Sequence, residues 1–197
     1  MTKFCLAFIA LVLSFAVVPR AQLPAGAALV TSLQAGGHVI VMRHASSPSE
    51  IPKMPNPDNV PPERQLDEQG RATATAMGEA LRRLKIPIGE VLTGPAYRTR
   101  ETARRAGLAN PRAVTELGEG PGSMQAVSKA QTEWLQRKVK EFPRGGNTLL
   151  VTHVPNVSAA FPDVPALAQG EALVFGPDGE GGARVVTRIK IEEWAGL

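Results

Sequence analysis

Two histidines stand where chemistry is expected, each directly after a short apolar run. Residues 39–42 form a run that leads into Arg43 and His44, and residues 148–151 form a second that ends in Thr152 and His153. Such runs are typical of strands buried on both faces of a parallel sheet. Ligands bind at the carboxyl edge of such sheets, so we expect the two imidazoles to meet there. Ordinary packing of the two rings is the alternative interpretation.

Arginines accompany both histidines. Arg43 adjoins His44, and Arg98 lies at the start of a predicted helix after a further short strand. A guanidinium donates paired hydrogen bonds from a planar fork, which suits phosphate and carboxylate groups. Two guanidiniums and two imidazoles at one sheet edge would form a pocket that attracts anions. We interpret Arg100, Arg104 and Arg105 as surface residues and His38, at the other end of its strand, as structural or incidental.

The predicted secondary structure alternates between strands and helices. Asp67 is a suitable N-cap for a helix that ends at Pro87, and its apolar residues recur with a helical period. Further predicted elements are a strand over 90–93, a helix from Pro95 to about 108, a helix over about 125–142, and a hairpin of 172–175 with 184–191. Residues 46–63 contain six prolines and are predicted to form a long loop. The pattern predicts a three-layer α/β/α domain with a mostly parallel central sheet.

Four short motifs occur one after another between residues 41 and 153. They are VMRHA at 41–45, LDEQGRA at 66–72, TGPAYRTRETA at 93–103 and VTH at 151–153. Together they resemble the histidine phosphatase superfamily, which contains phosphoglycerate mutases and many acid phosphatases. The resemblance covers roughly residues 37–160 and implies a phosphoglycerate mutase-like fold.

The resemblance also implies a role for each motif residue. His44 would be the nucleophile that becomes phosphohistidine, while Arg43, Arg98 and His153 would hold the phosphoryl oxygens. This role suits a histidine, because an imidazole that titrates near pH 6.5 is neutral and able to attack at neutral pH. The arginines would offset the charge of the dianion. No metal or other cofactor is expected.

The general acid is assigned by a weaker likeness. Residues 114–120 resemble a family segment that contains a glutamate. The resemblance assigns the role of general acid to Glu116, with Glu119 as the alternative. A solvated loop glutamate is a further interpretation of either residue. The other branch of the superfamily has an aspartate directly after the second histidine, and Val154 stands there instead.

Two residues near the nucleophile depart from the family pattern. Ala45 replaces the usual glycine, and Ser47 stands where the family has a threonine that contacts phosphate, although Ser46 and Ser47 also suit loop caps. The proline-rich loop differs from the mutase pattern too. This loop, together with the export expected from the N-terminus, favours a hydrolase over a mutase.

The N-terminus has the features of a secretory signal peptide. Lys3 precedes residues 4–18, which are apolar apart from Ser14, and Pro19 ends the run. The run is shorter than the ~20 residues that a membrane-spanning helix needs. We therefore expect residues 1–21 to be cleaved, with the cut between 21 and 27, no stable membrane insertion afterwards, and a single domain over 22–197 in the periplasm or outside the cell. The single cysteine, Cys5, would leave with the peptide.

The charge distribution bears on whether the protein binds nucleic acid. The net charge of +4 is scattered along the 197 residues without a basic block, which argues against nucleic-acid binding. The predicted function is metal-independent hydrolysis of a phosphomonoester, with an envelope sugar phosphate or a small phosphorylated metabolite as substrate. The alternatives are a non-catalytic module that binds a phosphate ligand and a phosphohistidine phosphatase.

Overall fold

The computed structural model describes residues 26–48, 64–119 and 127–197. In these ranges the strands are β1 (Val39–Arg43), β2 (Ile88–Thr93), β3 (Arg112–Ala113), β4 (Asn147–Thr152), β5 (Ala172–Pro177) and β6 (Ala183–Ile189). The α-helices are α1 (Gly26–Ala35), α2 (Glu68–Arg83), α3 (Tyr97–Arg105), α4 (Lys129–Lys138) and α5 (Val154–Ala160). Two 3-10 helices cover Thr115–Leu117 and Ile191–Gly196.

The strands form one sheet with the order β3-β2-β4-β1-β5-β6. β3, β2, β4 and β1 run parallel, whereas β5 is antiparallel to β1 and β6 is antiparallel to β5. The carboxyl ends of the parallel strands therefore meet at one edge, where Arg43 pairs with Thr152 and Thr93 pairs with Val151. This edge holds the candidate site.

The sheet is covered by helices on both faces. Alternate residues of β1 point to opposite sides, so Ile40 and Met42 belong to one apolar cluster while Val39 and Val41 belong to the other. The first cluster includes side chains of α1 and α2, and the second includes those of α4 and α5. The predicted three-layer α/β/α fold with a mostly parallel sheet is confirmed.

The structure sets the ends of the predicted helices. α2 begins after Asp67, whose side chain accepts a hydrogen bond from the Gly70 amide as an N-cap. α3 stops at Arg105 rather than near 108, because Gly107 takes a left-handed conformation (φ 64°) that ends the helix. α4 stops at Lys138, short of the predicted 142. Pro143 explains part of this difference, since a proline disfavours helical backbone at the residue before it.

The sequence analysis did not predict α1 and α5. α1 buries Leu29 and Leu33 and ends at Gly36 and Gly37, both of which have positive φ. α5 has seven residues and a proline in its first turn. The second arm of the predicted hairpin also ends earlier than expected, since β6 stops at Ile189 and a 3-10 helix follows.

Two predicted segments lie outside the described residues. They are the signal peptide at 1–21 and most of the proline-rich loop, residues 49–63. In the part of the chain that the structure describes, no helix is both long enough and apolar enough to cross a bilayer.

α2 and α3 approach each other closely at Gly78. A Cβ atom at this position would lie 1.9 Å from the Ala106 carbonyl oxygen, a distance that no rotamer change relieves because the obstacle is backbone. This contact fixes the distance between α2 and the carboxyl end of α3, the helix whose first turn contains Arg98. Only glycine permits it.

We predict that Gly78→Ala lowers the free energy of unfolding by about 1–3 kcal/mol, the usual cost of inserting a methyl group into packed structure. Urea denaturation measures this change. Gly145→Ala is the matched control, because a Cβ there meets nothing within 4 Å and should leave stability within about 0.5 kcal/mol. Equal stability of the two variants would contradict the close approach.

Candidate active site

The structure brings His44 and His153 together at the carboxyl edge of the sheet. His44 follows β1, and its amide donates to the Thr152 carbonyl of β4 at 3.0 Å. His153 follows β4 directly and is the N-cap of α5. The centroids of the two rings are 5.3 Å apart, with the ring planes inclined at 63°. Both rings are buried, with 2% and 1% of each residue exposed.

A backbone carbonyl fixes the tautomer of His44. Its Nδ1 lies 2.8 Å from the Ala45 carbonyl oxygen. A carbonyl oxygen only accepts hydrogen bonds, so Nδ1 must carry the proton. The neutral ring then has its lone pair on Nε2, which is the nitrogen available for attack on an electrophile.

Burial keeps both imidazoles neutral. Burial first, and then repulsion from His153 and nearby guanidiniums, lowers the pKa of His44 to about 3, while the bond to Ala45 acts in the opposite direction. Burial also lowers the pKa of His153 to about 3, and repulsion from Arg98, Arg64 and Arg43 lowers it further. Neither ring is protonated near neutral pH.

Two of the predicted arginines present unused donors. Arg98, in the first turn of α3, is 4% exposed, and Arg43 donates from Nη1 to the Leu167 carbonyl at 2.9 Å. Among the described residues, the Nε atoms of both arginines and Nε2 of His153 are buried without a hydrogen-bond partner. Buried polar atoms without partners cost about 1–3 kcal/mol each. A bound oxyanion would supply the missing acceptors.

Arg64 is a further cation that the sequence analysis missed. Its Nε donates to the Pro48 carbonyl at 2.8 Å. Repulsion from Arg64 contributes to the lowered pKa of His153 and of Arg43, so its charge acts on the same pocket. Arg64 lies two residues before Leu66, outside the motifs that the sequence analysis used, so no motif pointed to it.

The two candidate acids occupy different environments. Glu119 lies in the site, with Oε2 2.5 Å from Nη2 of Arg98 and Oε1 3.2 Å from Nδ1 of His153. The carboxylate of Glu116 accepts a hydrogen bond from the Thr115 hydroxyl at 3.3 Å. In the described part of the chain, no hydrogen bond or ion pair joins that carboxylate to the histidines or arginines of the site. Glu119, which was the alternative in the sequence analysis, is therefore the candidate acid that lies beside Arg98 and His153.

Side chains from three elements hold the segment that carries Glu119. Thr152 donates to the Leu117 carbonyl at 2.9 Å, and Asn156 of α5 donates to the Gly118 carbonyl at 3.0 Å. Gln131 of α4 donates to the same Gly118 oxygen, also at 3.0 Å. Gly94 allows this approach, since a Cβ there would lie 2.5 Å from the Leu117 oxygen.

The residues after the nucleophile are tied to the protein rather than free. The Ala45 amide donates to the Thr102 hydroxyl at 3.1 Å, and Ala45 is fully buried. The Ser46 hydroxyl donates to Asp67, the N-cap of α2, at 2.6 Å. The Ser47 hydroxyl donates to the Gln65 carbonyl at 2.7 Å. Ser46 and Ser47 are thus tied to the residues that lead into α2.

His38 lies apart from the site, at the amino end of β1, and its Nε2 shares a 3.0 Å hydrogen bond with the Ser32 hydroxyl. No group of three or more histidine, cysteine, aspartate or glutamate side chains is arranged to hold a metal ion within the described ranges.

The fold and the site together define an α/β protein with paired histidines and arginines at the ends of parallel strands. The family model described as the histidine phosphatase superfamily (branch 1) matches residues 39–120, which include His44, Arg98, Glu116 and Glu119. This match supports the resemblance to the histidine phosphatase superfamily that the motifs indicate. A search of curated protein sequences gives no significant match.

Solved structures share the fold at low sequence identity. The protein histidine phosphatase SixA, in complex with tungstate, has a TM-score of 0.57 and 18% identity over 78% of this chain and 97% of its own. A phosphoserine phosphatase from Entamoeba histolytica has a TM-score of 0.58 and 10% identity over 79% and 98%. Mycobacterial glucosyl-3-phosphoglycerate phosphatase has a TM-score of 0.51 and 16% identity, again over 79% of this chain and 98% of its own. At these identities the likeness shows the fold alone.

We predict that neither site histidine titrates between pH 5 and 8 in the ligand-free protein. Long-range ¹H–¹⁵N NMR should show His44 as one neutral tautomer with the proton on Nδ1, assigned by comparison with His44→Gln. The unfolded chain takes up protons on these rings near pH 6.5 and the folded chain near 3. The free energy of unfolding should therefore fall as the pH drops from 6.5 towards 3. A midpoint between pH 6 and 7 for either ring would contradict this.

Proposed function

We propose that the protein hydrolyses phosphomonoesters through a phosphohistidine formed on Nε2 of His44. One observation carries the proposal. A buried histidine that the Ala45 carbonyl holds in the Nδ1-protonated form lies beside two arginines whose buried Nε donors have no partners, and beside a second histidine whose Nε2 has none. A neutral nucleophile set among donors for an oxyanion is the arrangement that in-line phosphoryl transfer requires.

The first step forms the covalent intermediate. The lone pair on Nε2 of His44 attacks phosphorus, and the bond from phosphorus to the ester oxygen breaks. Arg43, Arg98 and His153 hold the non-bridging oxygens and stabilise their charge as the bonds change. The leaving oxygen takes a proton from the general acid and departs as an alcohol.

The second step releases phosphate. A water molecule gives a proton to the carboxylate that acted as acid, and its oxygen attacks phosphorus. The bond between phosphorus and Nε2 breaks, which returns the electron pair to His44 and restores the neutral imidazole. The products are an alcohol and inorganic phosphate.

Glu119 is the better candidate for the acid. Its carboxyl group lies within reach of Arg98 and His153, and hence of an ester oxygen on a phosphoryl group held by them. Glu116 precedes it by three residues, and its carboxylate pairs with Thr115 instead. We therefore move the proposed role from Glu116 to Glu119.

The proposed reaction uses neither a metal ion nor another cofactor, because guanidiniums supply the positive charge that a metal would otherwise provide. The proposed substrates are an envelope sugar phosphate or a small phosphorylated metabolite. SixA is a protein histidine phosphatase with a similar fold, so a phosphohistidine peptide belongs in the substrate panel. Binding of phosphate without turnover of any ester would instead indicate a non-catalytic module.

The proposed location is the periplasm or the exterior of the cell, on the strength of residues 1–21. A cut after Ala21 would leave α1 whole, whereas a cut after Ala27 would remove its first two residues. The first position is therefore the better candidate. Mass spectrometry of the native protein identifies the mature N-terminus.

We predict that His44→Ala lowers kcat by about 10⁴-fold or more, as loss of a covalent nucleophile does. His153→Ala and Arg98→Ala should impair both KM and kcat, because they remove ligands of the phosphoryl group. Labelled substrate, quenched without acid, should leave alkali-stable phosphate on His44 in the wild type. The assay is run with and without EDTA. Turnover by His44→Ala at the wild-type rate would refute the nucleophile, and loss of activity in EDTA would refute metal independence.

We predict that Glu119→Gln slows hydrolysis of an alkyl phosphate by about 10²–10⁴-fold, because an alkoxide needs a proton to leave. p-Nitrophenyl phosphate should be spared, since its leaving group is a weak base. Glu116→Gln is the matched control and should leave both rates within about twofold. If Glu116→Gln shows the selective loss and Glu119→Gln does not, the acid is Glu116 as the sequence pattern predicts.

A further inference from the structure

The segment between α5 and β5 forms one wall of the candidate site. Within it, residues 165–171 form turns and irregular backbone. They nevertheless contact residues that precede and follow His44 in the chain. The Leu167 carbonyl accepts from Nη1 of Arg43 at 2.9 Å, and the Gly170 amide donates to the His44 carbonyl at 2.9 Å. The Gln169 carboxamide bonds to both the amide and the carbonyl of Ser47, at 3.2 and 2.8 Å. The position of this wall thus sets the position of the phosphate-binding arginine.

One guanidinium holds the wall in place. Arg188 of β6 donates from Nη1 to the Pro165 carbonyl and from Nη2 to the Ala166 carbonyl, each at 2.9 Å. It also pairs through two nitrogens with Glu171, and the Nη2 bond is 2.7 Å long. Glu171 in turn accepts from the Ala168 amide at 2.8 Å. These bonds join the start of the wall to its end.

We propose that Arg188 is a positioning residue, which acts through residues 165–168 and the Leu167 carbonyl to aim Arg43 at the phosphoryl group. The inference rests on the proposed function, since it takes the ligand of Arg43 to be a phosphoryl dianion. Arg188 itself does not touch the ligand. Its role is to fix the hydrogen bond between Arg43 and the Leu167 carbonyl. The remaining donors of the Arg43 guanidinium, including the unpartnered Nε, are then directed towards the phosphoryl group.

The chemistry of the cluster requires arginine at position 188. A guanidinium presents five donors in a rigid plane, which allows one side chain to bind two carbonyls and both oxygens of a carboxylate. The ammonium of lysine is a point donor and would satisfy only part of this set. The hydrogen bonds from Arg188 also hold the pKa of Glu171 below its usual range, as expected for a pair that stays ionised.

The burial of the pair makes it more than a surface ion pair. The side chain of Glu171 is 7% exposed and that of Arg188 is 29% exposed. The Arg43 amide donates to the Glu171 carbonyl at 3.0 Å, so the same residue anchors both the wall and the end of β1. A change in the pair therefore reaches Arg43 by its backbone as well as by its side chain.

The test compares phosphate binding across a small set of full-length variants, with isothermal titration of inorganic phosphate at a temperature well below each unfolding midpoint. Arg188→Lys keeps the charge, Arg188→Met removes it, and Glu171→Gln keeps the shape of its partner. Arg83→Met is the matched control, because Arg83 also donates to a backbone carbonyl, that of Ala195 at 2.9 Å, and lies away from the site. We expect the first three to weaken phosphate binding about tenfold and the control to match the wild type.

A double-mutant cycle separates positioning from a merely structural role. Arg43→Lys removes the guanidinium that Arg188 would aim, so Arg188→Lys should have at least fivefold less effect on phosphate affinity in that background. Independent, multiplicative effects of the two substitutions would overturn the inference, as would wild-type phosphate affinity in folded Arg188→Lys. Failure of the wild type itself to bind phosphate would instead refute the proposed function.

Discussion

The burial of two imidazoles beside guanidiniums is the constraint on which the site depends. Water does not stabilise a charge on either ring, and the neighbouring cations oppose one, so both histidines stay neutral. A neutral ring has a nitrogen lone pair, and the carbonyl of Ala45 determines which nitrogen holds it. The same burial leaves the arginine Nε atoms without water, which makes them strong donors for an incoming anion.

The sheet supplies this arrangement through backbone contacts more than through side chains. The ends of β1, β2 and β4 meet because their parallel registers align, and this places His44, Gly94 and His153 side by side. Backbone carbonyls then orient the side chains, that of Ala45 for His44 and that of Leu167 for Arg43. The candidate residues lie at the strand ends or shortly after them, so the strands decide where each of these residues is placed.

The parts of the fold that could be predicted are those governed by local pattern. The apolar runs before His44 and His153 specify buried strands, and Asp67 specifies the start of α2 because an N-cap is a local hydrogen bond. α5 could not be found this way, since seven residues with an early proline carry no helical period. The choice between Glu116 and Glu119 depends on how a 3-10 turn and Gly118 direct the chain, and tertiary bonds from Thr152 and Asn156 decide that. Arg64 was missed for a related reason, because its charge reaches the pocket through the fold and not through a motif.

The carboxylate of Glu119 gives the ligand-free pocket an anion of its own. An oxyanion that enters must replace this carboxylate at Arg98 and His153. Its net binding free energy is therefore the difference between its own interaction with these residues and that of the carboxylate. A dianion gains more from this exchange than a monoanion such as chloride or acetate does, which favours phosphoryl groups over the commoner anions of solution. If the protein hydrolyses phosphomonoesters as proposed, the exchange would run in reverse after hydrolysis, and the returning carboxylate would shorten the residence time of inorganic phosphate. Selectivity and product release would then follow from a single side chain that is tethered beside the pocket.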